Sequence, residues 1–220
     1  MDAPAARGED EGTVQLTIIH PLLVRLTHWV NALAMTCMVM SGWEIYDASP
    51  LLPFTFPAWA TLGGWLGGGI AWHFAAMWLL VGNGLVYLAY GLFGRHFMRS
   101  FVPLTPAHFW RDLNEALAFR LKHELGTYNA VQRVAYVAVL ALGVVAVWSG
   151  LALWKSVQLR PLAWALGGYP AARWVHFLAM AGIVLFVAVH LVLVALVPST
   201  LPAMITGRAR VSASRVEVEP

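Results

Sequence analysis

The sequence is poor in charge: only 11% of its 220 residues are Asp, Glu, Lys or Arg, against about 25% in soluble domains. A single cysteine, Cys37, excludes an internal disulfide and an iron–sulfur cluster. The first thirteen residues lack the basic start and apolar core of a secretory signal. The basic residues raise the pI to about 9.3, but they form no stripe interleaved with aromatics, so no nucleic-acid partner is expected.

Apolar residues make up 60% of the chain, and they gather in long runs. A helix that crosses a membrane needs roughly 20 mostly apolar residues, and four segments meet that length. They predict an all-α membrane protein, a bundle of four transmembrane helices within one domain at residues 20–207. No internal repeat is apparent. Residues 1–19 are expected to form a disordered cytoplasmic tail and residues 208–220 a second cytoplasmic tail. The four segments are Leu22–Tyr46, Ile70–Phe93, Val131–Trp154 and Trp174–Val197.

Lysine and arginine predict the orientation of the bundle. The connection from Glu44 to Gly69 contains neither residue, whereas the 94–130 loop contains five and the C-terminal tail contains three. Because basic residues favour the cytoplasmic side, both termini and the 94–130 loop are expected in the cytoplasm. Within that loop, helical spacing of Phe109, Leu113, Leu117 and Leu121 predicts a short helix on the membrane surface.

Four of the eight histidines lie inside the apolar segments, where ionisable side chains are rare and usually functional. His176 and His190 share the fourth segment, with a separation that corresponds to about 21 Å of helix and to nearly the same helix face. Chain direction then sets the depth of the other two. His73 falls in the same half of the membrane as His176, and His28 in the same half as His190, so the sequence predicts two layers of paired histidines.

Two histidines at one depth on facing helices suit bis-imidazole ligation of a haem iron. The chain has no Cys-x-x-Cys-His motif, so such haems would be non-covalent and of the b type. We therefore predict two b haems, on the pairs His28/His190 and His73/His176. Gly42 follows His28 at the same spacing at which His190 follows His176, so it shares a helix face with His28 at the opposite depth. It would make room for the edge of the second porphyrin or would serve ordinary helix packing. A haem-free transporter with a histidine proton relay is the alternative.

Several motifs around these histidines resemble a known family. The chain is similar to the di-haem cytochrome b family, which includes the gamma subunit of bacterial respiratory formate dehydrogenase, the cytochrome b subunit of nickel–iron hydrogenases and bacterial cytochrome b561. The resemblance implies the same two histidine pairs that depth predicts. The motifs are Arg25-Leu-Thr-His28-Trp29, Ser41-Gly42, His73, and the spacing of His176 and His190.

One further motif points to a quinone. The stretch Tyr128-Asn129-Ala130-Val131-Gln132-Arg133 is similar to a Tyr-Asn-Ala-Gly-Gln-Lys stretch that lies beside the quinone in the formate dehydrogenase subunit. The resemblance implies a quinone site at Asn129, on the cytoplasmic side. The alternative is that Asn129 only caps the third helix.

The resemblance implies transmembrane electron transfer in a bacterial inner membrane. Electrons would pass between a periplasmic partner, an oxidoreductase subunit such as a molybdenum enzyme or a hydrogenase, and the quinone pool. Because the chain has no ligand set for molybdenum, nickel or an iron–sulfur cluster, we expect no substrate-oxidising site of its own. The alternative is a stand-alone cytochrome b561 that passes electrons from a small donor such as superoxide to quinone.

Overall fold

Four long helices dominate the computed structural model, which describes residues 14–93, 130–198 and 200–212. All four are long and apolar enough to cross a membrane, which confirms the predicted, mostly helical architecture of four spans. They are α1 (Leu22–Asp47), α2 (Leu66–Phe93), α3 (Ala130–Trp154) and α5 (Tyr169–Leu196). The short elements are α4 (Arg160–Ala165), α6 (Thr200–Thr206), β1 (Val14–Ile18) and β2 (Arg208–Ser212).

Small side chains lie between the helices, and large apolar ones point outward. α1 packs along α2, and α3 packs along α5. Membrane helices associate through small residues because lipid already solvates the large apolar side chains. The outward side chains include Leu33, Trp78, Val144 and Leu185, each more than half exposed. In the part of the chain that the structure describes, the fully buried residues are Ala34, Ser41, Ser149, Ala152 and Ala172.

Two helices begin earlier than their apolar runs predicted. α2 begins at Leu66 rather than Ile70, and α5 begins at Tyr169 rather than Trp174. Gly67, Gly68 and Gly69 lie in the first turn of α2, and the last of them allows close packing of the helix. A Cβ atom on Gly69 would lie 2.8 Å from Cγ of Glu44 in α1, so only glycine fits there without a shift.

The two ends of the described chain pair with each other. Strands β1 and β2 form an antiparallel two-stranded sheet in which Val14 pairs with Ser212 and Ile18 with Arg208. The prediction of a disordered tail is therefore wrong for residues 14–18. The period-2 alternation of Val-Gln-Leu-Thr-Ile is typical of a strand and was the missed signal. Both ends of the described chain therefore lie on the same side of the bundle.

The predicted surface helix of the 94–130 loop lies outside the described residues, as do residues 1–13 and 213–220.

Candidate functional site

The structure brings the four intramembrane histidines together as two pairs. His73 of α2 faces His176 of α5, with ring centroids 6.3 Å apart and ring planes at 71°. We call this the upper pair, because it lies near the connection between α1 and α2. His28 of α1 faces His190 of α5, with centroids 6.2 Å apart and planes at 61°. This is the lower pair, near the two strands.

The centroid distances fit one metal ion between the two rings of each pair. A metal–imidazole bond of about 2.0–2.1 Å, plus about 1 Å from nitrogen to ring centre, puts two rings on one ion about 6 Å apart. The pairing is the one that depth predicts. Among the described residues, no group of three or more His, Cys, Asp and Glu could hold a metal ion. The donor set therefore suits a cofactor that brings its own equatorial ligands, as haem does.

Hydrogen bonds fix the tautomer of His73. Its Nδ1 lies 3.1 Å from the carbonyl oxygen of Met38 and 3.1 Å from Oγ of Ser41. The Ser41 hydroxyl donates to the carbonyl oxygen of Cys37 at 2.5 Å, so its oxygen is left to accept. A carbonyl oxygen only accepts. Nδ1 therefore carries the hydrogen, and Nε2 is left with the lone pair that an iron ion requires.

His176 has the same arrangement on the other side of the upper pair. Its Nδ1 lies 3.1 Å from the carbonyl oxygen of Ala146 and 3.0 Å from Oγ of Ser149. Ser149 donates to the carbonyl oxygen of Val145 at 2.6 Å. Both serines are fully buried. In both histidines of the upper pair, Nδ1 therefore carries the hydrogen and Nε2 keeps its lone pair.

A glycine follows each serine and makes room for the imidazole. A Cβ atom on Gly42 would lie 3.4 Å from Cε1 of His73, and one on Gly150 would lie 3.2 Å from Cε1 of His176. The room at Gly42 is therefore room for a histidine ring. Gly182, between the two histidines of α5, serves helix packing, because a Cβ atom there would lie 3.0 Å from the Leu142 side chain of α3.

The lower pair has different surroundings. Nδ1 of His28 is buried and has no hydrogen-bond partner in the described part of the chain, and the Trp29 indole lies edge-on to its ring at 5.1 Å. His190 is exposed on the helix surface. Its ring lies parallel to that of Phe186, 6.2 Å away. The two pairs therefore share a ring spacing but differ in the groups that orient the rings.

The C-terminal segment is tied to the lower end of α1. Nη1 of Arg25 donates to the carbonyl oxygen of Ile205 at 2.6 Å, and Nε1 of Trp29 donates to that of Met204 at 3.3 Å. Burial, and secondly the charge of Arg25, lowers the pKa of His20 in this region. The two hydrogen bonds hold the C-terminal segment beside the turn of α1 that carries His28.

Aromatic side chains close the opposite end. Trp43 stacks on Phe56 at 4.4 Å, and Tyr46 stacks on Phe177, the neighbour of His176, at 5.4 Å. The carboxylate of Asp47 holds the loop by accepting from the backbone N–H of Phe56 at 2.9 Å. These contacts hold the connection between α1 and α2 beside the upper pair.

Sequence reasoning missed a polar contact between α1 and α2. Nδ2 of Asn83 donates to the carbonyl oxygen of Thr27 at 2.8 Å and to Oδ1 of Asn31 at 2.7 Å. Polar side chains in a membrane helix usually find partners on neighbouring helices. Two asparagines within apolar runs were the available signal. The contact holds α2 against the turn of α1 that carries His28.

The predicted quinone segment is not tested by the structure. Asn129 lies outside the described residues, and α3 begins at the next residue, Ala130.

Fold and site together define a four-span membrane protein with two layers of paired histidines. The family model for prokaryotic cytochrome b561 matches residues 19–207. A protein-methionine-sulfoxide reductase subunit, YedZ1 of Azospira oryzae, is 53% identical over 194 residues, which cover 88% of this chain and 98% of that protein. A nickel–iron hydrogenase B-type cytochrome subunit of Cupriavidus necator is 29% identical over 209 residues, with 84% of each chain covered.

The chain therefore belongs to the prokaryotic cytochrome b561 family. It is a multi-pass bacterial membrane protein of cytochrome b561-type electron transfer, and its family implies haem b. Membership in this family favours electron transfer over the haem-free transporter that the histidines alone left open.

Proposed function

We propose that this protein carries electrons across the bacterial inner membrane through two b haems, one at each histidine pair. The observation that supports this most directly is the ring spacing, 6.3 Å in the upper pair and 6.2 Å in the lower pair. His73 and His176 would hold the upper iron through Nε2, and His28 and His190 would hold the lower one. When bound, haem b supplies a one-electron couple between ferric and ferrous iron.

The remaining residues position these ligands. Ser41 and Ser149 orient the two rings of the upper pair, and the stacked Trp43 and Phe56 hold the connection between α1 and α2 beside it. The two layers are about 21 Å apart along α5, from the spacing of its histidines and a rise of about 1.5 Å per residue. Electrons would pass between the two layers through a bundle whose buried residues are mostly small.

The partner is proposed to be a periplasmic oxidoreductase subunit. Both relatives bear names of oxidoreductase subunits, one of a protein-methionine-sulfoxide reductase and one of a hydrogenase. The identity of 53% with the former favours a partner that reduces sulfoxides, for which the electrons would come from quinol. We propose that the quinone site lies at Asn129, beside the lower pair. In this proposal the lower pair, the quinone site and both termini are on the cytoplasmic side.

Haem stoichiometry tests the proposal. A pyridine haemochrome assay on the purified protein should give two b haems per chain, and His176→Ala should reduce this to one. His20→Ala is the matched control, because His20 is half-buried in the described structure but belongs to neither pair. It should keep both haems. A wild-type protein without haem would refute the proposal.

A further inference from the structure

The contacts of the upper pair are a duplicated structural unit. Ser41-Gly42 of α1 meets His73 of α2, and Ser149-Gly150 of α3 meets His176 of α5. Both histidines begin the same short sequence, His-Phe-x-Ala-Met, whose alanine is buried in each case. No repeat was apparent in the sequence, because only these few positions are shared.

The lower pair, His28 and His190, is not part of this duplicated unit. The spacing that leads back from Ser41 to His28 leads back from Ser149 to a tyrosine, Tyr136. In the same way, the spacing that leads forward from His176 to His190 leads forward from His73 to Tyr87. Neither ligand of the lower pair therefore has a histidine counterpart in the other half of the chain. The serine contacts belong to one histidine pair alone.

Each Nδ1–H of the upper pair has two oxygen acceptors. One is the backbone carbonyl three residues before the serine, at 3.1 Å in both halves. The other is the serine oxygen, at 3.1 Å for His73 and 3.0 Å for His176. Acceptors that draw the Nδ1 proton raise the electron density of the ring and its basicity as a ligand. A more basic ligand stabilises ferric iron more than ferrous iron.

We infer that Ser41 and Ser149 are a matched pair of positioning residues that lower the midpoint potential of the upper haem. The inference rests on the proposed function, since it requires haem at the upper pair. Hydrogen bonding and burial are the protein's usual means of tuning a haem potential. In the described structure, Nδ1 of His28 has no such partner. The serines therefore tune one haem and leave the other unchanged.

The competing explanation is local. Serine in a membrane helix commonly bonds the carbonyl four residues earlier, and Ser41 and Ser149 do so. Thr36 provides a control for this side-chain to backbone hydrogen bond. Its hydroxyl donates to the carbonyl oxygen of Ala32 at 2.8 Å in the same helix, and it faces outward. Thr36→Val removes this bond without touching a histidine contact.

Optical redox titration of the purified, haem-loaded protein provides the test. Ser41→Ala and Ser149→Ala should each raise the midpoint of one haem and leave the other in place, and the double variant should raise it further. The haem that shifts should be the one absent from His176→Ala. A tenfold change in the relative binding of ferric and ferrous haem corresponds to about 59 mV for one electron. Thr36→Val should leave both midpoints unchanged.

Several results would overturn the inference. An unmoved or lowered midpoint in fully loaded alanine variants would do so, as would an equal rise in Thr36→Val. If the alanine variants lost haem, Ser41→Cys and Ser149→Cys would decide, because sulfur accepts a hydrogen bond only weakly. They should raise the same midpoint, and loss of haem from these variants too would show that the serines hold the site together rather than tune it. A wild-type protein without haem would instead refute the proposed function.

Discussion

Gly150→Ala adds a single methyl group at the tightest glycine contact of the upper pair. The new Cβ atom would lie 3.2 Å from Cε1 of His176, whereas non-bonded carbon atoms prefer about 3.5–4.0 Å. The ring or the helix must therefore move by a few tenths of an ångström. Overpacking of this kind costs about 1–3 kcal/mol. If the site bears that cost when haem is bound, affinity for the upper haem should fall about 5- to 150-fold.

Gly143→Ala is the matched control on the same helix. Nothing lies within 4 Å of a Cβ atom at Gly143. Both substitutions remove a helix glycine, which favours the helix by about 1 kcal/mol, so this gain cancels between them. Transfer of haem to apomyoglobin, followed optically, should show faster loss of one haem in Gly150→Ala alone. Gly42→Ala, with a contact of 3.4 Å to His73, should have a smaller effect.

Equal haem loss in Gly150→Ala and Gly143→Ala would refute this reasoning, since it would show that the glycine at 150 does not make room for the ring. Loss of both haems in equal measure from Gly150→Ala would also refute it, because the contact concerns only the upper pair.

Three further predictions concern the layers, the orientation and the quinone. His176→Ala and His28→Ala should lose different haems, because their rings lie in different pairs; redox titration showing the same haem missing from both would contradict the pairing. Alkaline phosphatase fused after Arg210 should be inactive if the termini are cytoplasmic, and activity there would invert the orientation. Asn129→Asp should keep both haems but raise the KM for a quinol analogue, whereas unchanged kinetics would favour the capping alternative.

The histidine layers could be predicted because they depend on two simple quantities. Helical rise fixes the distance between His176 and His190, and chain direction fixes the depth of His28 and His73. Neither quantity requires knowledge of how the helices cross. The structure accordingly pairs the rings as expected, with centroids 6.2 Å and 6.3 Å apart.

The groups that orient the rings could not be predicted in the same way. The contact of Ser41 with His73 depends on the rotation of α1 and α2 about their axes and on how closely they approach. A serine in an apolar helix is usually explained by its bond to its own backbone. The contact of Gly42 with the imidazole ring depends on the same close approach of the two helices, so the sequence alone favours the porphyrin edge or helix packing there. The Asn31–Asn83 contact depends on the same rotation of α1 against α2, which the sequence does not specify.

Pairing of β1 with β2 gives the chain the topology of a nearly closed ring. The backbone N–H of Ile19 also donates to the carbonyl oxygen of Gly207 at 2.9 Å, so residues far apart in sequence meet where the ring almost closes. Val14 and Ser212 already lie together, so a direct connection between them requires only a short linker and little loop entropy. Circular permutation is tolerated where the two chain positions to be joined lie close together. The chain could thus be reopened between α4 and α5, where Gly167 and Gly168 have positive φ angles, with the order of its helices around the bundle retained.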